Sequence, residues 1–216
     1  MYSELSTRRS AVRRSRAYSM EKRAAFSAET RRRILDAARR SLAGGKSADL
    51  GLDAIAGAAG VSRVTIYNQF GSRSGLLEAL YDYLAMRGGV RRGKEALSQK
   101  HPDDALVGFI RALVNFWSSD SLAIRRLHAM GALDPEIAKG LAAREARRRR
   151  AAREIVRRVA TAAKSQQRHR LVADVLCALV SFETYDSLAR TGHGREDIVR
   201  MMTHLARGVL TRDLLP

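Results

Sequence analysis

LDAIAGAAGVSRVTIYNQF, residues Leu52–Phe70, is the stretch whose reading decides the fold. It divides into a helix of about eight residues, a tight turn at Gly60, Val61 and Ser62, and a second short helix ending at Phe70. Gly60 supplies the positive φ that a sharp turn demands. The Ser62 hydroxyl can cap the helix that follows. Ala56 is small where two helices must approach, and Ile55, Val61 and Ile66 supply the contacts buried between them. This is the pattern of a helix-turn-helix.

Upstream, Ser27 reads as the cap of a first helix, with Glu29 in its first turn. Ile34, Leu35, Ala38 and Leu42 form one apolar face, Arg31, Arg32, Arg33, Arg39 and Arg40 are interspersed, and Gly44-Gly45 ends the helix. Residues 1–26 hold seven basic and two acidic side chains and show no helical stripe, which predicts a disordered basic arm. Met20 offers a second translation start, and the intact mass of the native protein distinguishes the two.

Downstream of Phe70, a fourth helix is expected over about Ser74–Arg87, with Leu76, Leu77, Leu80, Tyr81 and Leu84 as its stripe. Polar residues 90–102 then mark a junction. Longer helices follow: one carrying Leu106, Phe109, Ile110, Leu113 and Trp117, one over Leu122–Leu133, one over Pro135–Ala163, one over Arg168–Arg190 and one over Arg195–Leu210. No apolar/polar alternation marks a strand. The fold class expected is all-α: an arm (1–26), an N-terminal three-helix DNA-binding domain with the helix-turn-helix (27–88), and a helical ligand-binding and dimerisation domain (89–216).

Composition narrows the function. Forty Lys and Arg face 22 Asp and Glu, a formal net charge of +18, which favours polyanionic partners and salt-sensitive binding. The five histidines lack close metal-ligand spacing, and no phosphate loop or nucleophile elbow occurs. No enzyme, metal site, cofactor or membrane span is therefore expected, and the location expected is the cytoplasm. The single cysteine, Cys177, lies in an apolar run and reads as a buried thiol.

The stretch Ile34–Leu84 resembles the N-terminal domain of the TetR/AcrR family of regulators. It carries Ile55-Ala56-Gly57-Ala58-Ala59-Gly60-Val61-Ser62, then Tyr67-Asn68-Gln69-Phe70, a short polar stretch and Leu76-Leu77. Val64 stands where the family often has Gly or Ala, and Arg73 where it usually has Lys. The second short helix should enter the major groove. Arg63 is the first candidate for reading guanine, Asn68 a second for base or backbone, and Val64 could meet a thymine methyl. The resemblance implies that Thr65, Tyr67 and Arg73 bind phosphates; Tyr67 could instead pack in the core, and Ser62 could cap, contact a base, or do both.

A single recognition helix reads too few bases, so a homodimer on double-stranded DNA is expected. Val172, Val175 and Leu179, with Ile198, Met202, Leu205 and Val209 on the last helix, are candidates for its interface. An unknown small-molecule ligand would lie among Phe109, Leu113, Phe116, Trp117, Leu127, Met130, Leu133, Phe182 and Tyr185, with Glu183 either a polar anchor or the partner of a local arginine. By resemblance, the ligand would release a repressor from its operator. The run Arg147–Arg150 reads as a solvated helix with Glu145–Arg149 and Glu154–Arg158 pairs rather than a second nucleic-acid site. Two other functions compete: nonspecific nucleic-acid packaging, and redox sensing through Cys177.

Overall fold

The fold is built outward from the helix-turn-helix. The computed structural model describes residues 2–44, 51–90, 95–96, 98–159 and 166–211, with side chains between 20 and 210. Among them α2 spans Leu52–Ala59 and α3 spans Arg63–Phe70. Gly60 takes φ 62°, and the Val61 N–H bonds back to the Ala56 carbonyl at 3.0 Å. Ser62 caps α3, its Oγ accepting the Thr65 N–H at 3.1 Å. The turn forms as the sequence predicts.

Helix α1 (Tyr2–Gly44) runs beneath this motif, burying Ile34, Leu35, Ala37, Ala38 and Leu42. The disordered arm expected over 1–26 is corrected here, because the helix continues through Ser27 back to Tyr2. Its residues include neither Gly nor Pro before Gly44, and Ala, Arg, Glu and Lys all tolerate the helix well. Ser27 is consequently mid-helix and accepts a hydrogen bond from Gln69 at 3.0 Å.

Helix α4 (Arg73–Arg87) begins at Ser72, whose Oγ accepts the Gly75 N–H at 3.0 Å. Gly75 must lack a side chain: a Cβ there would lie 2.1 Å from the Phe70 carbonyl oxygen. Then come α5 (Pro102–Ser119), α6 (Ser121–Gly131), α7 (Pro135–Val159), α8 (Gln166–Leu179), α9 (Phe182–Arg190) and α10 (Arg195–Thr211). The described residues contain no strand, and the all-α expectation holds.

Two apolar cores organise these helices. One joins α1 to α4 and extends into Ala123 and Leu127 of α6 and Ile137 of α7. The other fills the space between α5, α7, α8, α9 and α10. Polar ties cross between the two bodies: Arg39 to Asp120, Arg126 to the Leu42 carbonyl, and Arg73 to Asp134 at 2.7 Å.

The helix expected over Arg168–Arg190 is broken at Val180–Ser181. Ser181 caps α9 by accepting the Thr184 N–H at 3.2 Å. The break leaves the Val180 carbonyl without an intrahelical partner, and the indole N–H of Trp117 donates to it at 3.0 Å. Residues 91–94, 97 and 160–165, which include the end of the expected Pro135–Ala163 helix, lie outside the described residues.

Candidate nucleic-acid interface and internal cavity

Helix α3 has one buried and one open side. Ile66 is 1% exposed and anchors the helix, whereas Val64 (66%) and Tyr67 (40%) face outward. Ser62, Arg63 and Asn68 are exposed with them, and Thr65 is partly buried. Positions 63, 64, 67 and 68 fall on one helical face, so these four candidates share one surface. Tyr67 is thus not a core residue.

Three arginines hold this surface in place or modulate it. Arg33 donates to the Ala59 and Gly60 carbonyls, the latter at 3.2 Å, and Arg31 donates to the Gln69 carbonyl at 2.6 Å. Both put a cation at a helix C-terminus, where the backbone dipoles favour it. Arg31 also stacks over Phe70 at 4.3 Å. Their role as clamps was not apparent from the arginine-rich sequence of α1. Arg63 itself lies 3.3 Å from Asp53 of α2, with its guanidinium 5.9 Å from the Tyr67 ring centre.

Arg73 differs from its expected role. It pairs with Asp134 at 2.7 Å and Glu136 at 3.5 Å, at the start of α7, rather than standing beside the α3 face as an uncommitted phosphate donor. That pairing, with N–H groups of α7, holds the Asp134 carboxyl below its ordinary pKa.

A cavity of about 940 Å³ lies between α4 and helices α5 to α8. Phe109, Leu113, Phe116, Trp117, Leu127 and Glu183 line it. Met130, Phe182 and Tyr185 do not. Met130 packs against the N-terminal core, while Phe182 and Tyr185 are buried in the other core behind the wall. Leu133 is 90% exposed. Phe182 still matters, supporting Trp117 edge-on at 5.6 Å.

Glu183 accepts both readings in part, since it lines the cavity and its Oε1 lies 2.8 Å from His128 Nδ1. Burial works against its charge, but its own backbone N–H and His128 outweigh that, and its pKa lies below the ordinary carboxylate value. Cys177 also lines the cavity but is 3% exposed.

The polar wall is the part sequence analysis missed. Arg144, Arg147, Arg148, Arg149 and Arg150 of α7 all line the cavity, so the arginine run is not merely a solvated helix. Arg144 spans the seam: it stacks on Tyr81 at 4.2 Å and reaches Asp82 at 2.9 Å and the Glu78 carbonyl at 3.0 Å. The Glu145–Arg149 pair forms at 2.9 Å, whereas Glu154 selects Arg157 at 2.7 Å in place of Arg158, which bonds the Gln99 carbonyl.

Three of the expected dimer residues are interior. Val172, Ile198 and Met202 are at most 3% exposed in the chain's own core. Val175, Leu179 and Val209 are partly buried, and Leu205 is 53% exposed. Helix α8 is apolar on more than one face, and the side that carries Val172 turns inward.

An outward second helix after a tight turn, on an all-helical scaffold, is the geometry of a helix-turn-helix and supports DNA-binding regulation of transcription. Residues 34–80 match the sequence model of the bacterial regulatory proteins, tetR family. A putative TetR-family transcriptional regulator from Rhodococcus sp. superposes with a TM-score of 0.67 at 21% identity, covering 85% of this chain and 100% of that one. A putative TetR-family regulator from Syntrophomonas wolfei gives a TM-score of 0.69 at 15% identity, over 87% and 97% of the two chains. The TetR-like regulator LfrR from Mycobacterium smegmatis, solved in complex with proflavine, gives 0.54 at 25% identity over 85% and 97%. No curated protein matches the chain. Over residues 34–80 the chain is therefore similar to the bacterial regulatory proteins of the tetR family, and its helical fold is similar to that of solved TetR-family regulators.

Proposed function

We propose that this chain is a sequence-specific repressor that binds double-stranded operator DNA as a homodimer and leaves it when a small molecule fills the cavity. One observation carries this reading: α4 packs against α3 and also walls the cavity through Tyr81, Leu84, Ala85 and Met86. A ligand in the cavity therefore bears on the helix that positions the recognition helix. The shift is one of population between two arrangements of the same dimer.

On DNA, Arg63, Val64 and Asn68 face base edges, while Thr65 and Tyr67 bind phosphates. Arg73 reaches a phosphate only by leaving Asp134, which ties its contact to the seam between residues 27–88 and the ligand-binding domain beyond. The dimer forms through the outward sides of α8 and α10, at Leu171, Val175 and Leu205, the apolar side chains not consumed by the chain's own core. The protein acts in the cytoplasm by binding alone. Among the described residues no helix is long and apolar enough to cross a membrane.

The test is binding to the gene's own upstream DNA against scrambled DNA of equal length, at about 150 mM salt, where nonspecific contacts weaken. A repressor prefers the upstream DNA by at least about a thousandfold and binds it as a dimer. Equal affinity for the two, falling steeply with salt, would replace this reading with nucleic-acid packaging. The thiol-sensor alternative needs reagent access that a 3% exposed Cys177 does not favour.

A further inference from the structure

The charges around the cavity are unequal in a way that identifies its ligand. Four carboxylates line it: Asp82, Glu145, Asp174 and Glu183. Each already faces a cation. Asp82 meets Arg144 at 2.9 Å, Glu145 and Asp174 share Arg149 at 2.9 and 3.3 Å, and Glu183 meets His128 at 2.8 Å. Arg147, Arg148 and Arg150 remain, and among the described residues none of the three has an ion pair.

Arg148 is the telling one. Its guanidinium lies 5.1 Å over the Trp117 ring, its Nε is buried, and that N–H has no acceptor among the described residues. A ring face attracts a cation but does not satisfy its N–H donors. Leaving such a donor dry is costly, and an anionic oxygen would remove the cost. The Tyr81 hydroxyl, in the same wall, is also buried without a partner, and burial raises its pKa so that it stays a donor. Arg147 and Arg150 are exposed at the rim, where they would draw an anion in. Leu84, Leu113 and Phe116 are among the apolar residues of the wall.

We propose that the cavity takes an amphipathic organic anion: an aromatic or aliphatic body bearing one carboxylate, sulfonate or comparable acid group held by Arg148 beside Trp117. This deepens the functional reading above and rests on it in taking the cavity as the effector site. A cationic ligand would instead meet Arg148 inside and carboxylates already engaged.

A matched pair of fluorescent probes tests the idea on the full chain without DNA. Anilinonaphthalene sulfonate and N-phenylnaphthylamine share nearly the same aromatic body, and only the first carries an acid group. The sulfonate should bind at least about tenfold more tightly than the neutral amine. Arg148→Met, which keeps a long apolar stem over Trp117, should abolish that preference. Arg153→Met, which removes the same charge from an exposed position of α7 outside the cavity, should preserve it.

Equal affinity for the two probes, no binding of the sulfonate, or a preference that survives Arg148→Met would each overturn the proposal. Operator selectivity is read separately. Its loss with the probe preference intact would sink the repressor, while the reverse would sink only the ligand class.

Discussion

Arg63→Ala is expected to weaken binding to the operator by about a hundredfold to ten-thousandfold while leaving affinity for scrambled DNA nearly unchanged. The magnitude follows from one bidentate contact to guanine, worth about tenfold to a hundredfold for each recognition helix, multiplied over the two helices of a dimer. The fold should not suffer, because the side chain is exposed and its one carboxylate, Asp53, is more exposed still. Arg63→Lys separates charge from shape: it should restore most of the salt dependence but little of the selectivity, since an ammonium lacks the planar fork.

Asp53→Asn sharpens the interpretation. It frees the Arg63 guanidinium and removes a negative charge from the DNA-facing side, so operator binding should hold or tighten. The measurement is fluorescence anisotropy with labelled operator and labelled scrambled duplex, at fixed salt. Equal losses on both duplexes in Arg63→Ala would make Arg63 a phosphate contact, leaving Val64 and Asn68 to read bases.

Trp117→Ala should cost about 3–5 kcal/mol of folding stability, as expected for removing a buried aromatic ring. Trp117 is 2% exposed, packs against Phe116 at 4.5 Å and Phe182 at 5.6 Å, and spans from the cavity wall to the break between α8 and α9. Its indole supplies the donor for the Val180 carbonyl. Trp117→Phe keeps most of the packing but abandons that carbonyl, and should cost about 1–3 kcal/mol. Thermal unfolding followed by circular dichroism distinguishes the two: the alanine variant should melt roughly 10 °C or more below wild type, with the phenylalanine variant between them. Equal midpoints for Phe and wild type would mean that the carbonyl finds water instead.

The turn from α2 to α3 could be read from sequence because its determinants are local. Gly60 makes the turn, Ser62 caps the next helix, and Ile66 alone among its neighbours must turn inward. The helix-period stripes of α4, α5 and α10 were equally plain. What failed depended on distant partners. The Ser181 break could have been suspected from a serine three residues before Thr184, yet the apolar run around it looked continuous. Val172, Ile198 and Met202 were assigned to a partner because the α8 sequence cannot say which of its apolar sides meets α5 and α7.

The arginines tell the same story for function. Arg147 to Arg150 point in different directions around α7, so sequence spacing suggests a solvated surface; only the fold brings the run to the cavity and sets Arg148 over Trp117. Arg73 illustrates the opposite case, where a candidate for DNA contact is committed to Asp134 sixty-one residues away. Helix position was local information, whereas charge pairing was not.

The central claim is that cavity and operator compete through α4, and thermodynamic linkage tests it most directly. The affinity of anilinonaphthalene sulfonate would be measured for the protein alone and for the protein saturated with operator. Linkage predicts weaker binding to the complex, by at least about fivefold and by the same factor with which the probe weakens operator binding. Identical probe affinities with and without operator would contradict the account, because a ligand with no differential affinity cannot release the DNA.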